Sequence, residues 1–248
     1  MNIHKKNLIY VSIIAALFIA TTLVSVFLGI YAHKNNLLNE LILFQENQTY
    51  YNNKCDSFKI QNKNLSNNQI VFIGDSITDG YKLDNFYNSL PLATYNRGIN
   101  GDSTGGVLKR LQTSLFDIKP SKVVIMIGIN DINANKSETE IISNYEEILT
   151  QISTNLPTTQ VYCMSILPIN SQIEANTNIK VETSTPKILS INPRILNLCQ
   201  TFNYSFVDMF TQFADSNNQL KETYSTDGIH LNDAGYQVWT NQLIDLLK

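Results

Sequence analysis

The sequence is poor in the residues that staple or metallate a fold. Three cysteines in 248 residues, Cys55, Cys163 and Cys199, make no even framework, and no CxxC or HExxH spacing occurs. A disulfide scaffold and a zinc site are therefore not expected, and neither is any other metal or cofactor. Cys163 lies in an apolar run and reads as a buried thiol; a single bridge stays open as an alternative. Charge is also scarce, at 16% of residues with a net charge of -3. Nothing resembles a basic stripe, so nucleic acid is not an expected partner. Histidine is scarcer still: His4, His33 and His230. Residues 33–69 contain neither glycine nor proline.

What is present begins with an uncharged run from Leu8 to Ala32. At ~1.5 Å per residue it would make roughly 37 Å of helix, longer than the ~30 Å hydrocarbon core of a bilayer. A cleaved signal peptide is the rival reading, but its apolar region is usually about 7–15 residues, and a cut after Ala32 would place the bulky Ile30 three residues before it. Lys5, Lys6 and the amino terminus precede the run; His33, Lys34, Glu40 and Glu46 follow it. The bias of positive charge predicts a short cytoplasmic segment over 1–7, a single-pass membrane anchor over 8–32, and a remainder outside the cytoplasm. Residues 33–69, Asn-rich from Asn47 onward, read as a stalk, with Leu37, Leu38, Leu41, Ile42 and Phe44 extending a helix beyond the membrane.

From residue 70 to 248 short apolar runs alternate with amphipathic stretches. The runs are Ile70–Ile73, Ala93–Tyr95, Val123–Ile127, Val161–Ser165 and Phe206–Met209; the stretches are Thr104–Phe116, Glu138–Asn155, Lys187–Phe202 and Asp233–Leu247. Pro193 interrupts the third stretch, and Asn232 or Asp233 caps the fourth. The alternation predicts an α/β fold: a five-stranded parallel sheet, helices on both faces, three layers, flavodoxin-like. In such a sheet, ligands bind at the carboxyl ends of the strands. The segments Gly74–Ile77, Asn96–Asp102, Gly128–Asp131 and Asp227–His230 fall there, and every glycine but Gly29 lies in or near them. Clustered glycine marks sharp turns and close backbone approach at one site.

These segments resemble, in order, the four blocks of the SGNH hydrolase family, also called GDSL esterases: GDSIT with Ser76, a glycine block with Gly101, GxND with Asn130, and DxxH with Asp227 and His230. NRGINGDST, IGIND and DGIHLNDAGY are most similar to its acetylhydrolase-like and lysophospholipase-like members. The resemblance implies an α/β/α fold, a Ser76–His230–Asp227 triad, and an oxyanion hole from the backbone N–H groups of Ser76 and Gly101 with the Asn130 side chain. The residues support this independently. A serine hydroxyl needs a base, and His230 is the one imidazole far from the apolar run. Asp227 is placed to accept the other ring N–H.

Three further expectations are open to test. Ser103 lies in a GxSxG pattern that would make it an elbow nucleophile, but it follows a polar segment, whereas Ser76 almost directly follows an apolar run. Asp75 and Asp131 read as loop-organising carboxylates. The segment 169–184 reads either as a substrate-shaping lid, with Ile173, Ile179 and Val181 as apolar contacts, or as an insertion of no consequence. The expected activity is hydrolysis of a small-molecule or glycan acyl ester, favouring short O-acetyl groups on an extracytoplasmic carbohydrate. A lysophospholipase, an acyltransferase using the same acyl-enzyme, and a non-catalytic binding module are the alternatives.

Overall fold

A computed structural model of the chain describes residues 3–170, 172–173 and 181–248; of these, 3–20, 23 and 181–183 are described by backbone alone. Two compact units divide at Tyr50 and Tyr51. In chain order the elements are α1 Ile3–Asn62, β1 Ile70–Gly74, α2 Ser76–Asp79, α3 Leu83–Phe86, β2 Thr94–Gly98, α4 Thr104–Lys109, β3 Lys122–Met126, α5 Ile129–Asn133, α6 Glu138–Asn155, β4 Gln160–Met164, α7 Val181–Phe202, β5 Ser205–Val207, α8 Phe210–Phe213 and α9 Asp233–Leu247.

The five strands are all parallel and lie in the order β2-β1-β3-β4-β5. The direction of winding reverses between β1 and β3, which creates a crevice at their carboxyl ends. Strand alternation divides the core. Val71, Ile73, Val123 and Ile125 pack with Val107, Ile141, Tyr145, Ile188 and Ile195 of α4, α6 and α7. Ile70, Phe72, Val124 and Met126 pack with Ile77, Tyr81, Tyr236, Trp239 and Leu243 on the opposite face. Burying apolar area on both faces is the main favourable term in folding, and it makes the three layers expected from the sequence.

Four details differ from the sequence expectations. β2 extends through Asn96 and Arg97 because both polar side chains find partners: Asn96 Nδ2 donates to the Thr78 and Tyr81 carbonyls, and Arg97 donates to the side-chain oxygens of Gln61 and Asn62. The Thr104–Phe116 stretch is not one regular helix; α4 ends at Lys109 and a π-helical turn covers Gln112–Phe116. α7 runs through Pro193 and begins at Val181, so Val181 belongs to a helix rather than a loop. Asn192 holds that helix from its flank, accepting from Ile166 N at 2.8 Å and donating to Ile166 O at 3.0 Å, and tertiary packing outweighs the lost helical bond. Finally, the stalk expected over 33–69 does not reach 69. From Tyr51 the chain belongs to the larger unit: Phe58 is buried, Lys54 pairs with Asp79, and Asn62 donates to Thr113 O.

Residues 21–50 other than Leu23 are exposed on a helix, with Val24, Phe27, Ile30, Leu41 and Phe44 uncovered. Among the described residues no helix is long and apolar enough to cross a membrane. Most side chains of the 8–32 run lie outside the described residues, as does Ile179 of the 169–184 segment.

Candidate active site

Ser76 lies two residues after the end of β1 and opens α2. Asp75 caps that helix, its Oδ1 accepting from Ile77 N at 3.0 Å. Tyr236 of α9 fixes the other side, donating from its hydroxyl to Ile77 O at 2.7 Å. The nucleophile candidate therefore sits on a short turn pinned at both flanks.

His230 Nε2 lies 2.9 Å from Ser76 Oγ, and its Nδ1 lies 2.6 Å from Asp227 Oδ2. An ionised carboxylate only accepts, so Nδ1 carries the ring proton and Nε2 of the neutral imidazole is left to accept from the serine hydroxyl. Asp227 is itself held: its Oδ1 accepts from Ile229 N at 2.9 Å and from His230 N at 2.8 Å. Partial burial works to raise the Asp227 carboxyl, but the hydrogen bonds from the His230 ring and these two amides outweigh it and hold the group below the usual carboxylate range. Asp227 stays ionised, which is what orienting an imidazole requires.

The loop that carries this pair is shaped by Gly228, whose φ of +82° suits glycine. A Cβ there would meet Asn170 O at 1.9 Å, and Asn170 N donates to Gly228 O at 2.8 Å. The start of the 169–184 segment thus buttresses the histidine loop.

Gly101 follows β2 with a φ of +74° and open space where a side chain would be. Asn130 follows β3 in α5, and its amide donates to Asp102 O at 2.8 Å. A primary amide has a second N–H for a ligand. Since β2, β1 and β3 are adjacent and ~4.8 Å apart, the segments bearing Gly101, Ser76 and Asn130 emerge side by side. Ser103 does not join them: its Oγ caps α4, accepting from Gly106 N at 3.2 Å. Asp131 is fully buried and organises the loops, accepting from Thr104 N and Thr104 Oγ1, each at 2.8 Å. Asp75 is buried too, and burial above all pushes its carboxyl up to about 7 despite the opposing Ile77 N–H.

The sequence reading missed Arg110 and Arg97. Arg110 is buried in an ion pair with Asp102 at 2.7 Å. It falls three residues after Val107 and four before Ser114, on the helix face that turns inward. An arginine on an apolar face demands a partner, and that signal was available in the sequence. Among the described residues no three His, Cys, Asp or Glu side chains gather as a metal ligand set.

Such a relay, with amide donors nearby, can deprotonate a hydroxyl attacking an acyl carbon and stabilise the resulting oxyanion. The comparisons agree with that chemistry. Residues 72–238 match the GDSL-like Lipase/Acylhydrolase family. The chain is 27% identical over 187 residues to the human platelet-activating factor acetylhydrolase IB subunit alpha2, covering 72% of this chain and 75% of that one. A Streptococcus pneumoniae structure named for platelet activating factor superposes with a TM-score of 0.79 at 30% identity, covering 85% of this chain and 99% of that one. An acetyl xylan esterase superposes at 0.61 with 18% identity, covering 73% of this chain and all of that one; at that identity it shows the fold alone. With two thirds of its length inside the family match, the chain belongs to the GDSL-like lipase and acylhydrolase family and is a hydrolase.

Proposed function

We propose that the protein is a serine esterase that forms an acyl-enzyme on Ser76 and releases it to water, with His230 as base and Asp227 as its orienting carboxylate. Ser76 N–H, Gly101 N–H and the Asn130 amide form the oxyanion hole. The observation that carries this reading is the unbroken relay Asp227–His230–Ser76, at 2.6 and 2.9 Å.

The substrate in this reading is a short acyl ester, in particular an O-acetyl group on an extracytoplasmic carbohydrate. The name of the acetylhydrolase relatives supports an acetyl group over a long acyl chain. The loops 98–106, 127–134 and 226–232 carry no lysine or arginine, which favours a neutral sugar over the phosphate of a lysophospholipid. The run 8–32 supports a single-pass anchor, and its flanking charges support an external catalytic domain.

A fluorophosphonate probe tests the chemistry. It should label the full chain in detergent but not Ser76→Ala, and Asn130→Ala should lower kcat by about 10²–10³. Labelling that survives Ser76→Ala, or moves to Ser103, refutes the assignment. Acyl esters of graded length should fall in rate beyond acetyl. Supplying a glycan acceptor distinguishes transfer from hydrolysis, because acylated glycan in place of free acid identifies a transferase.

A further inference from the structure

We propose that Arg110 is the positioning residue of the oxyanion hole, a single guanidinium that locks the three loops supplying its donors. The proposal rests on the reading of Ser76 as nucleophile.

Arg110 has a side chain 2% exposed and uses its planar fork on oxygens of the site's own scaffold. Nε donates to Asp102 Oδ2 at 2.7 Å, Nη1 to Arg97 O at 2.8 Å and Ser114 Oγ at 2.9 Å, and Nη2 to Gly74 O at 3.0 Å. Gly74 is the last residue of β1, two before Ser76. Arg97 lies in β2, which leads into Gly101. Asp102 is the neighbour of Gly101, and its backbone carbonyl accepts the Asn130 amide. One side chain therefore reaches the frame of the first two donors directly and that of the third through Asp102.

The rest of the local sequence accommodates this pair. Gly106 leaves room for the carboxylate, since a Cβ there would stand 1.8 Å from Asp102 Oδ1. Ser103 N donates to Asp102 Oδ1 at 2.9 Å. A buried ion pair is weak as a source of stability, because desolvation offsets its attraction. What it supplies here is geometry: the planar guanidinium fixes the directions of several hydrogen bonds at once. Lysine, a point charge on a flexible stem, cannot reproduce that fork. Misplacing a reacting frame by about 1 Å costs on the order of 10²-fold in rate.

The test uses the full chain in detergent with Arg110→Lys and, as a milder change, Asp102→Asn. Four quantities are read: thermal midpoint, kcat and KM on an acetyl ester, and affinity for a trifluoromethyl ketone, which mimics the tetrahedral adduct. We expect folded variants with kcat lower by about 30- to 100-fold for Arg110→Lys and a smaller loss for Asp102→Asn. KM should stay within about threefold, and ketone affinity should fall in proportion to kcat. A folded Arg110→Lys with full kcat overturns the proposal, as does activity that merely tracks the folded fraction. Failure of both variants to fold also overturns it, by making Arg110 a framework residue. If the wild-type chain is not labelled by a fluorophosphonate, the nucleophile reading itself fails; wild-type labelling with full-rate variants removes the Arg110 proposal alone.

Discussion

Replacing Asp75 by asparagine should stabilise the protein, by an amount that grows as pH rises from about 4 to neutrality. Asp75 is 1% exposed, and its carboxyl is raised from 3.8 to about 7, with burial as the leading cause. Below pH 3.8 the group is protonated in the folded and unfolded chains alike and contributes nothing. Between 3.8 and 7 the unfolded chain gives up its proton while the folded chain keeps it, so stability falls as pH rises. Above 7 the full cost is in place. At 1.36 kcal/mol per pH unit that cost is about 4 kcal/mol, a ceiling because the fold relaxes around a buried charge. Asparagine keeps the acceptor that caps α2 and carries no such charge. For a domain of this size about 1 kcal/mol moves the midpoint by 2–4 °C. Thermal melts of both forms in detergent should therefore separate by up to about 8–16 °C at pH 8, and by only about 1 kcal/mol, or 2–4 °C, at pH 4.5. An asparagine variant that melts below the parent at pH 8, or with the same offset at both pH values, would refute the account of a buried carboxyl destabilised by its own ionisation.

Two other changes probe separate parts of the site. Gly228→Ala should cost about 1–3 kcal/mol for strain at a positive φ and should also lower kcat, since a methyl group 1.9 Å from Asn170 O displaces the loop that carries His230; melting and initial rates measure the two effects. Removing residues 1–62 should be far more damaging than removing 1–50. The longer deletion strips Phe58 from its place and takes Gln61 and Asn62 from the buried Arg97 guanidinium, a loss of about 3 kcal/mol or more. Chemical denaturation of the two fragments compares them, and equal midpoints would contradict the packing described.

The sequence was most legible where local chemistry and tertiary need coincide. α6 and α9 start and stop where apolar periodicity and caps place them, with Ser137 and Asn232 as the capping side chains. The convergence of Ser76, Asp227 and His230 was legible because a serine after an apolar strand and a carboxylate beside an imidazole are visible without a fold. Asn96 and Arg97 hid their strand because their partners lie outside it, Thr78 and Tyr81 for the first and Gln61 and Asn62 of α1 for the second. Pro193 argued against a helix that a side-chain clamp from Asn192 sustains. The same remoteness hid residues 51–62: their Asn-rich composition resembles a stalk, yet Tyr51 donates to Gly106 O at 2.7 Å and Lys54 pairs with Asp79 on α2, the helix that Ser76 opens.

The hydroxyl and the imidazole of the relay are separated by 154 positions along the chain. Ribosomes add roughly 5–20 residues each second, so for some 10–30 s of each synthesis the chain holds a serine without its base. On the function proposed above, a polypeptide interrupted before Asp227 lacks both the base and its orienting carboxylate. The appearance of turnover in a translation reaction would thus time the docking of the segment that carries Asp227 and His230.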